Sequence, residues 1–147
     1  MAKSIIYFFV SLMAVIFLDQ IIKIIFLQGY VYKNECITLS LVYNDGVAFS
    51  MFAFLGKYLK YIQLLLIAGV MGYVLYNKDI LKKYSFALGL IIGGGVSNIL
   101  DRFRHEGVVD FFHWHCGFDF PGIFNFADVM IDLGVFLILL ISWRSKH

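Results

Sequence analysis

Four long apolar segments occupy more than half of this chain, and they constrain its fold more than any other feature. They cover about residues 4–27, 58–76, 84–100 and 124–143. A helix needs roughly 20 mostly apolar residues to cross the ~30 Å hydrocarbon core of a bilayer. The 147-residue chain is 61% hydrophobic and only 15% charged, which is too little charge for the surface of a soluble domain of this length. We therefore predict an all-α membrane protein with four transmembrane helices in a single domain, residues 1–147.

The first segment also has a feature of cleaved signal peptides, because a basic residue, Lys3, precedes its apolar run. No A-x-A cleavage site follows, and the apolar character resumes after Lys23 as "IIFL". We interpret it as a retained first span.

The distribution of positive charge predicts the orientation of the spans. An even number of spans places both termini on one side of the membrane, together with the loop 77–83. That side carries six Lys and Arg residues in very short segments, and the other side carries four. Positive residues are enriched in short cytoplasmic loops, so we expect both termini in the cytoplasm.

The two loops on the outer side hold most of the remaining pattern. The first, residues 28–57, contains "CITLSLVY", a strand-like run, followed by the turn signal "NDG". It predicts a small β element on the outer membrane surface. The run "GVAFSMFAF" (46–54) is interpreted as a flexible apolar cover. We expect the second loop, residues 101–123, to fold back onto the membrane surface.

Several classes of function are disfavoured by the remaining composition. The net charge of +2 is too small to indicate nucleic-acid binding. Cys36 and Cys116 are too few for a disulfide scaffold, and we predict two unpaired thiols. His113, His115 and Cys116 form only a weak pattern for a metal site. We expect no metal and no cofactor.

Polar residues within the first and third spans are few, and each is costly in lipid. Asp19 and Lys23 are four residues apart, so they share a helix face and can form an ion pair that pins the first helix to its neighbours. Glycines at 89, 93, 94 and 95 predict close helix packing. Packing does not explain Asn98 and Arg102, which share a face and are placed to hold a polar group at the outer boundary.

Carboxyl groups lie at the start of the fourth span and just before it. Asn125, Asp128 and Asp132 follow one another at i, i+3 and i+7 on one helical face. Asp128 lies near the outer interface, and Asp132, about one turn deeper, is a candidate second buried acid. Asp110 stands within the apolar run "VVDFF", where aromatic neighbours are expected to bury it. The alternative for Asp110 is a capping or turn aspartate.

Two carboxyl groups that face one another in a partly dry pocket cannot easily both ionise, so one pKa rises and they share a proton. The ionised member can then deprotonate a water while the protonated member donates to a carbonyl oxygen. If Asp110 and Asp128 meet, this chemistry hydrolyses a peptide bond without a metal or a covalent intermediate.

An ordered set of motifs covers nearly the whole chain. It consists of "LDQ" (18–20) with Lys23, "NDGVAFS" (44–50), "SNILDR" (97–102) with "VVD" (108–110), and "FNFAD" (124–128). The set resembles the lipoprotein signal peptidases, also called signal peptidase II. One departure is Ser97, which stands where the family usually has glycine.

The resemblance implies an aspartic endopeptidase of the bacterial cytoplasmic (inner) membrane, with its active site near the outer face. Such an enzyme removes the signal peptide from a diacylglyceryl-modified prolipoprotein by cleaving before the lipidated cysteine. Its partners are this substrate and membrane lipid, and no oligomer is required. Asp110 and Asp128 would be the catalytic pair, and the matching supporting residues are Asn98, Arg102, Asn125, Ala127, Asn44, Gly46, Asp19 and Lys23.

Two other classes of protein also keep polar residues in their spans. A small transporter places its acids nearer the midplane, in broken helices, whereas Asp110 and Asp128 are close to one surface. A non-catalytic assembly protein uses polar residues only to pin helices, and it would tolerate Asp110→Asn with little loss of function.

Overall fold

Four long helices form the body of the protein. The structure is a computed structural model that describes residues 1–46, 52–118 and 120–145, with only the backbone of residue 53. The helices are α1 (Ala2–Leu27), α2 (Leu59–Tyr76), α3 (Lys78–Arg104) and α4 (Phe126–Arg144), and a short 3-10 helix (Ala53–Tyr58) precedes α2. All four are long and apolar enough to cross a membrane. The predicted class, a four-helix membrane protein, is confirmed.

Helix α3 lies at the centre, and the other three helices all pack against it. Glycines allow the close approach. A Cβ atom on Gly93 would lie 2.7 Å from the carbonyl oxygen of Leu12 in α1, and one on Gly94 would lie 2.7 Å from that of Ala127 in α4. Since small residues let helix backbones meet in lipid, the predicted role of the glycines in packing is confirmed at these two positions.

The prediction of an inner loop at residues 77–83 is wrong in one respect, because most of these residues are helical. Helix α3 begins directly after Asn77, whose side chain accepts a hydrogen bond from the backbone N of Ile80 at 3.3 Å. An asparagine cap and an acid in the first turn, Asp79, both stabilise a helix start. The helix is interrupted at Tyr84 (φ −122°), where the apolar span begins.

A four-stranded antiparallel sheet lies at the end of the molecule where α3 ends and α4 begins. Its order is β1 (Tyr32–Lys33), β2 (Ile37–Asn44), β3 (Val108–Trp114) and β4 (Ile123–Phe124). The predicted β element is confirmed in β2. The sequence did not predict β3, which pairs Asp110 with Val42. The second of the two predicted outer loops thus folds against the first.

The prediction of two unpaired thiols is wrong, because Cys36 and Cys116 form a disulfide. Cys36 lies just before β2 and Cys116 just after β3, and the antiparallel register pairs Ile37 with Trp114. A backbone hydrogen bond of 2.9 Å from His115 N to Cys36 O extends that register by one step. The pairing of two distant strands therefore brings together two cysteines that are 80 residues apart.

Candidate active site

Asp110 projects from β3 toward the start of α4 and is only 2% exposed. Side chains alternate along a strand, so its neighbours Val109 and Phe111 face the other way. Its Oδ2 accepts a hydrogen bond from the Asn44 amide at 2.9 Å, and its Oδ1 accepts one from the Asn125 amide at 2.7 Å. The carboxyl group is thus held by one residue from β2 and one from the start of α4.

Asp128 occupies the first turn of α4. Its Oδ2 accepts from the backbone N of Asn125 at 3.1 Å, and the Asn125 side chain accepts from the backbone N of Asp128 at 2.9 Å. This reciprocal capping box fixes the carboxyl group at the helix start. The Asn98 amide of α3 donates to the other oxygen, Oδ1, at 2.9 Å. The two acids are therefore linked through Asn125, which contacts both.

The orientation of the Asn98 amide follows from its neighbours. Its Oδ1 accepts from Lys23 Nζ and from Asn125 Nδ2, each at 3.0 Å. Because both neighbours are donors, the Asn98 amide nitrogen is left to face Asp128. Lys23 of α1 thus orients the Asn98 side chain, which donates a hydrogen bond to Asp128 on α4.

The predicted ion pair between Asp19 and Lys23 is confirmed, with 2.6 Å between Nζ and Oδ2. Both residues are almost fully buried. The other oxygen of Asp19 accepts from the backbone N of Ala127 at 2.8 Å, so α1 also caps an N–H in the first turn of α4. Ala127 is itself fully buried and contributes this N–H to the network.

Three further residues of this network were not predicted as part of the site. Asp101 lies 2.6 Å from Lys23 Nζ and accepts the backbone N–H of Val109 in β3 at 3.1 Å. Gln20 donates to Asp101 at 2.9 Å and to the Ser97 hydroxyl at 3.0 Å, and that hydroxyl donates to Asp19 at 2.7 Å. Ser97 and Asp101 are four residues apart on α3 and share a helix face, a spacing that links them in the sequence but does not show that this face meets α1.

Arg102 holds the chain where β2 ends. Its guanidinium donates to the carbonyl oxygens of Asn44 and Asp45, at 3.4 and 3.3 Å, and to that of Gly46. The backbone N of Gly46 in turn donates to Asn44 Oδ1 at 3.0 Å. That contact leaves the Asn44 amide nitrogen to face Asp110. Arg102 therefore acts on the acid through Asn44.

The pKa of Asp110 is raised from 3.8 to about 7. Burial is the main cause, because it disfavours the charged carboxylate, and repulsion from Asp128 acts in the same direction. The hydrogen bonds from Asn44 and Asn125 oppose the shift. Near neutral pH the Asp110 carboxyl group can therefore hold or release a proton.

Both acids line one cavity of about 760 Å³. Asn44, Asn98 and Arg102 also line it. Its apolar lining includes Val108, Trp114, Phe120, Ile123, Phe124, Val129 and Ile131. The cavity has a wall on α2 and a wall on α4, two helices that pack mainly against α3 and make little contact with each other in the described part of the chain.

The expected aromatic surroundings are found in part. Trp114 and Phe124 line the cavity. Phe111 instead stacks on Phe26 of α1, with 4.2 Å between ring centroids, and Phe118 is 67% exposed. Phe120, which the sequence did not single out, lines the cavity as well. The predicted cover at 46–54 lies mainly outside the described residues.

Asp132 is not the second buried acid that the sequence predicted, because its side chain is exposed, although it lines the cavity. His115 contacts the Thr38 hydroxyl at 3.0 Å, and His113 contacts the carbonyl oxygen of Phe120 at 3.1 Å. Within residues 1–46, 52–118 and 120–145, no group of three or more His, Cys, Asp or Glu residues could hold a metal ion.

The fold and the site define a class of protein: a multi-pass membrane protein with two carboxyl groups, one buried and one partly buried, in a cavity at one end of its helices. Residues 11–144 match the family model for signal peptidase (SPase) II, so the chain belongs to the signal peptidase II family. These enzymes are proteases that process lipoprotein precursors, and the four apolar helices fit a multi-pass protein of the bacterial membrane.

Relatives of known sequence agree with this assignment. A lipoprotein signal peptidase of Sulfurimonas denitrificans is 55% identical over 136 residues, which are 92% of this chain and 87% of that protein. One of Helicobacter pylori is 48% identical over 145 residues, covering 99% and 92%. A solved bacterial membrane enzyme superposes with a TM-score of 0.78 over 99% of this chain and 90% of its own, at 22% identity, and supports the fold.

Proposed function

We propose that this protein is an aspartic endopeptidase that removes signal peptides from diacylglyceryl-modified prolipoproteins, cutting before the lipidated cysteine. Asp110 and Asp128 are the catalytic pair. The observation that carries the proposal is the position of Asn125, which binds both carboxyl groups at the edge of one cavity. In this proposal the whole chain acts as one domain, and catalysis requires no oligomer.

In this mechanism the pair shares one proton at rest, since Asp110 is buried, Asp128 is partly buried, and the two charges repel each other. The ionised member takes a proton from a water molecule, whose oxygen attacks the scissile carbonyl carbon. The protonated member donates to the carbonyl oxygen, which yields a tetrahedral diol. The C–N bond then breaks as the acid that accepted a proton gives it to the amine nitrogen, while the other carboxylate takes a proton from one hydroxyl of the diol. The products are an amine and a carboxylic acid, and the pair again shares one proton. No metal or cofactor takes part in these steps.

The supporting residues have separate tasks in this proposal. Asn98, Asn44 and Asn125 orient the carboxyl groups and supply hydrogen-bond donors. Asp19 and Ala127 fix the start of α4, and Lys23 orients Asn98. Arg102 and Gly46 hold the end of β2, so that Asn44 stays in contact with Asp110.

The active site faces the outer side of the bacterial cytoplasmic (inner) membrane, and both termini are cytoplasmic. The distribution of Lys and Arg supports this orientation. The disulfide between Cys36 and Cys116 supports it independently, because it joins the strands that position Asp110, and disulfides persist in oxidising compartments rather than in the cytosol. A signal segment that spans the membrane would present its cleavage point at this depth, with its acyl chains still in lipid.

Purified protein incubated with lipidated and unlipidated forms of one prolipoprotein, in the presence of a chelator, tests the proposal. Mass spectrometry should find cleavage of the lipidated form alone, directly before the modified cysteine. Equal cleavage of the unlipidated form, cleavage at another bond, or a reaction that stops with chelation and resumes with zinc would contradict it.

A further inference from the structure

Two polar side chains of the cavity take no part in the network around Asp110 and Asp128. Gln63 of α2 and Asp132 of α4 both line the cavity. The Oε1 atom of Gln63 is buried without a hydrogen-bond partner, and the Asp132 carboxyl group has neither a hydrogen bond nor an ion pair within the part of the chain that the structure describes. Polar groups in membrane-spanning helices are costly, and the buried, unpartnered oxygen of Gln63 indicates a missing ligand in the cavity that Asp132 also lines.

The close contacts of two α3 glycines show how far along their helices Gln63 and Asp132 lie relative to Asp110 and Asp128. A Cβ atom on Gly95 would meet Ile67, one helical turn from Gln63 on α2, and one on Gly94 would meet Ile131, next to Asp132 on α4. Gln63 therefore lies near the level of Asp110 and Asp128, which we call the dyad. Asp132 is four residues beyond Asp128 on α4 and so lies about 6 Å deeper. In the direction from the dyad into the predicted membrane span, the cavity is thus lined first by Gln63 and then by Asp132.

A peptide bond within a helix is shielded by its own backbone hydrogen bonds, so a protease must bind its substrate locally unwound. Each unwound residue exposes one N–H and one C=O. In a cleft between membrane helices, little water is present to satisfy them, and the protein has to supply partners. A glutamine amide offers both a donor and an acceptor, and a carboxylate offers acceptors.

We propose that Gln63 and Asp132 bind the backbone of the unwound substrate segment on the signal-peptide side of the scissile bond. Gln63 accepts an N–H close to that bond with Oε1, and Asp132 accepts one farther into the membrane. The inference rests on the proposed function, because it requires a peptide at the dyad. It makes these two residues substrate-binding groups outside the catalytic network.

Steady-state cleavage of a synthetic lipopeptide by the purified full-length protein provides the first test. Gln63→Met keeps the size of the side chain and removes its hydrogen bonds, and it should lower kcat/KM about tenfold. Leu65→Met is the matched control on the same helix, since Leu65 is 74% exposed toward lipid, and it should change kcat/KM less than about twofold. Asp132→Leu should cause a loss similar to that of Gln63→Met, and Asp132→Asn, which keeps an acceptor, a smaller one.

A scan of the substrate backbone separates binding from a structural role. Lipopeptides in which one amide N–H on the signal-peptide side is replaced by an ester oxygen are cleaved by wild type and by Gln63→Met. At one position the ester should slow the wild type about tenfold and have little further effect on the variant, as expected for two partners of one hydrogen bond. If Gln63→Met does not purify as a folded protein, Gln63→Ser is used in the same comparison.

The outcomes separate the two proposals. An inactive wild type on the unmodified lipopeptide would overturn the proposed function and this inference with it. This inference alone would be overturned if the wild type is active, Asp110→Asn is inactive, and Gln63→Met is as active as the wild type. Additive losses from ester and variant at every position would do the same, because they would show that no substrate N–H meets Gln63.

Discussion

Asn125 and Asp128 cap each other at the start of α4. The Asn125 side chain accepts from the backbone N of Asp128 at 2.9 Å, and Asp128 Oδ2 accepts from the backbone N of Asn125 at 3.1 Å. The amide nitrogen of Asn125 also donates to Asp110 at 2.7 Å. One residue therefore joins a structural task, starting a helix, to a chemical one, positioning both acids.

Two substitutions of Asn125 should separate these tasks. Asn125→Ser keeps an N-cap oxygen and loses the donor to Asp110, so cleavage should fall about tenfold or more while most of the stability remains. Asn125→Ala loses both and should lower the free energy of unfolding by about 1–2 kcal/mol relative to the serine variant. Thermal unfolding in detergent and cleavage rates check this. A serine variant that cleaves like the wild type would remove Asn125 from the positioning of Asp110.

The stability of the protein should depend on pH through Asp110. The unfolded carboxyl group releases its proton near pH 4, whereas the folded one, with its pKa raised to about 7, keeps it. The folded state thus binds more protons in this window, and its stability falls as pH rises from about 4 to 7. Asp110→Asn has no proton to lose, so its unfolding midpoint should rise relative to wild type across the window. A constant difference between the two proteins would show that Asp110 is not desolvated.

The rate of cleavage should show two limbs against pH, which report the pair and not one residue. Phe124 lines the same cavity as Asp110. Phe124→Ser should admit water, relieve the desolvation and move the upper limb toward lower pH. Phe111→Leu is the control, because Phe111 stacks on Phe26 away from the cavity. A profile that moves equally in both variants would mean that the cavity aromatics do not control the titration.

Hydropathy was sufficient to predict the helices, because a span is a local property of about 20 consecutive residues. Strand β2 was also predictable locally, because its run of β-branched and apolar residues is bounded by a turn signal. Strand β3 was missed because its sequence, "VVDFFHW", is equally typical of an aromatic membrane anchor. Its identity as a strand depends on pairing with β2, and that pairing joins segments more than 60 residues apart.

The polar network shows the same limit. The Asp19–Lys23 pair was predictable from its helical spacing, whereas Asp101, which shares the lysine, required knowledge of which face of α3 meets α1. The cysteines were misinterpreted for the same reason, because their pairing follows from the β2–β3 register. The meeting of Asp110 and Asp128 came from motif resemblance, and no local pattern implied it.

The disulfide yields a test of orientation. Thiol blocking of intact cells, followed by reduction and labelling, should find Cys36 and Cys116 protected until reduction. In a Cys36→Ser/Cys116→Ser background, single cysteines near Lys57 and Glu106 should react with impermeant reagents from outside, and those near Lys82 only after lysis. The double variant should also lose about 2–4 kcal/mol of stability under oxidising conditions alone. Labelling with the sides reversed would place the acids at the cytoplasmic face.

In the proposed function, Asp110 and Asp128 together perform the hydrolysis. The most direct test of this claim is the single-turnover rate of cleavage of a lipidated prolipoprotein by Asp110→Asn and by Asp128→Asn, each compared with wild type and with Asp79→Asn. The control is the same change at a carboxyl group whose side chain is 94% exposed at the opposite end of α3. We predict losses of at least about 10³-fold for each of these two variants in proteins that remain folded, and a change of less than about twofold for the control. A folded Asp110→Asn or Asp128→Asn protein that cleaves within about tenfold of the wild-type rate would contradict it.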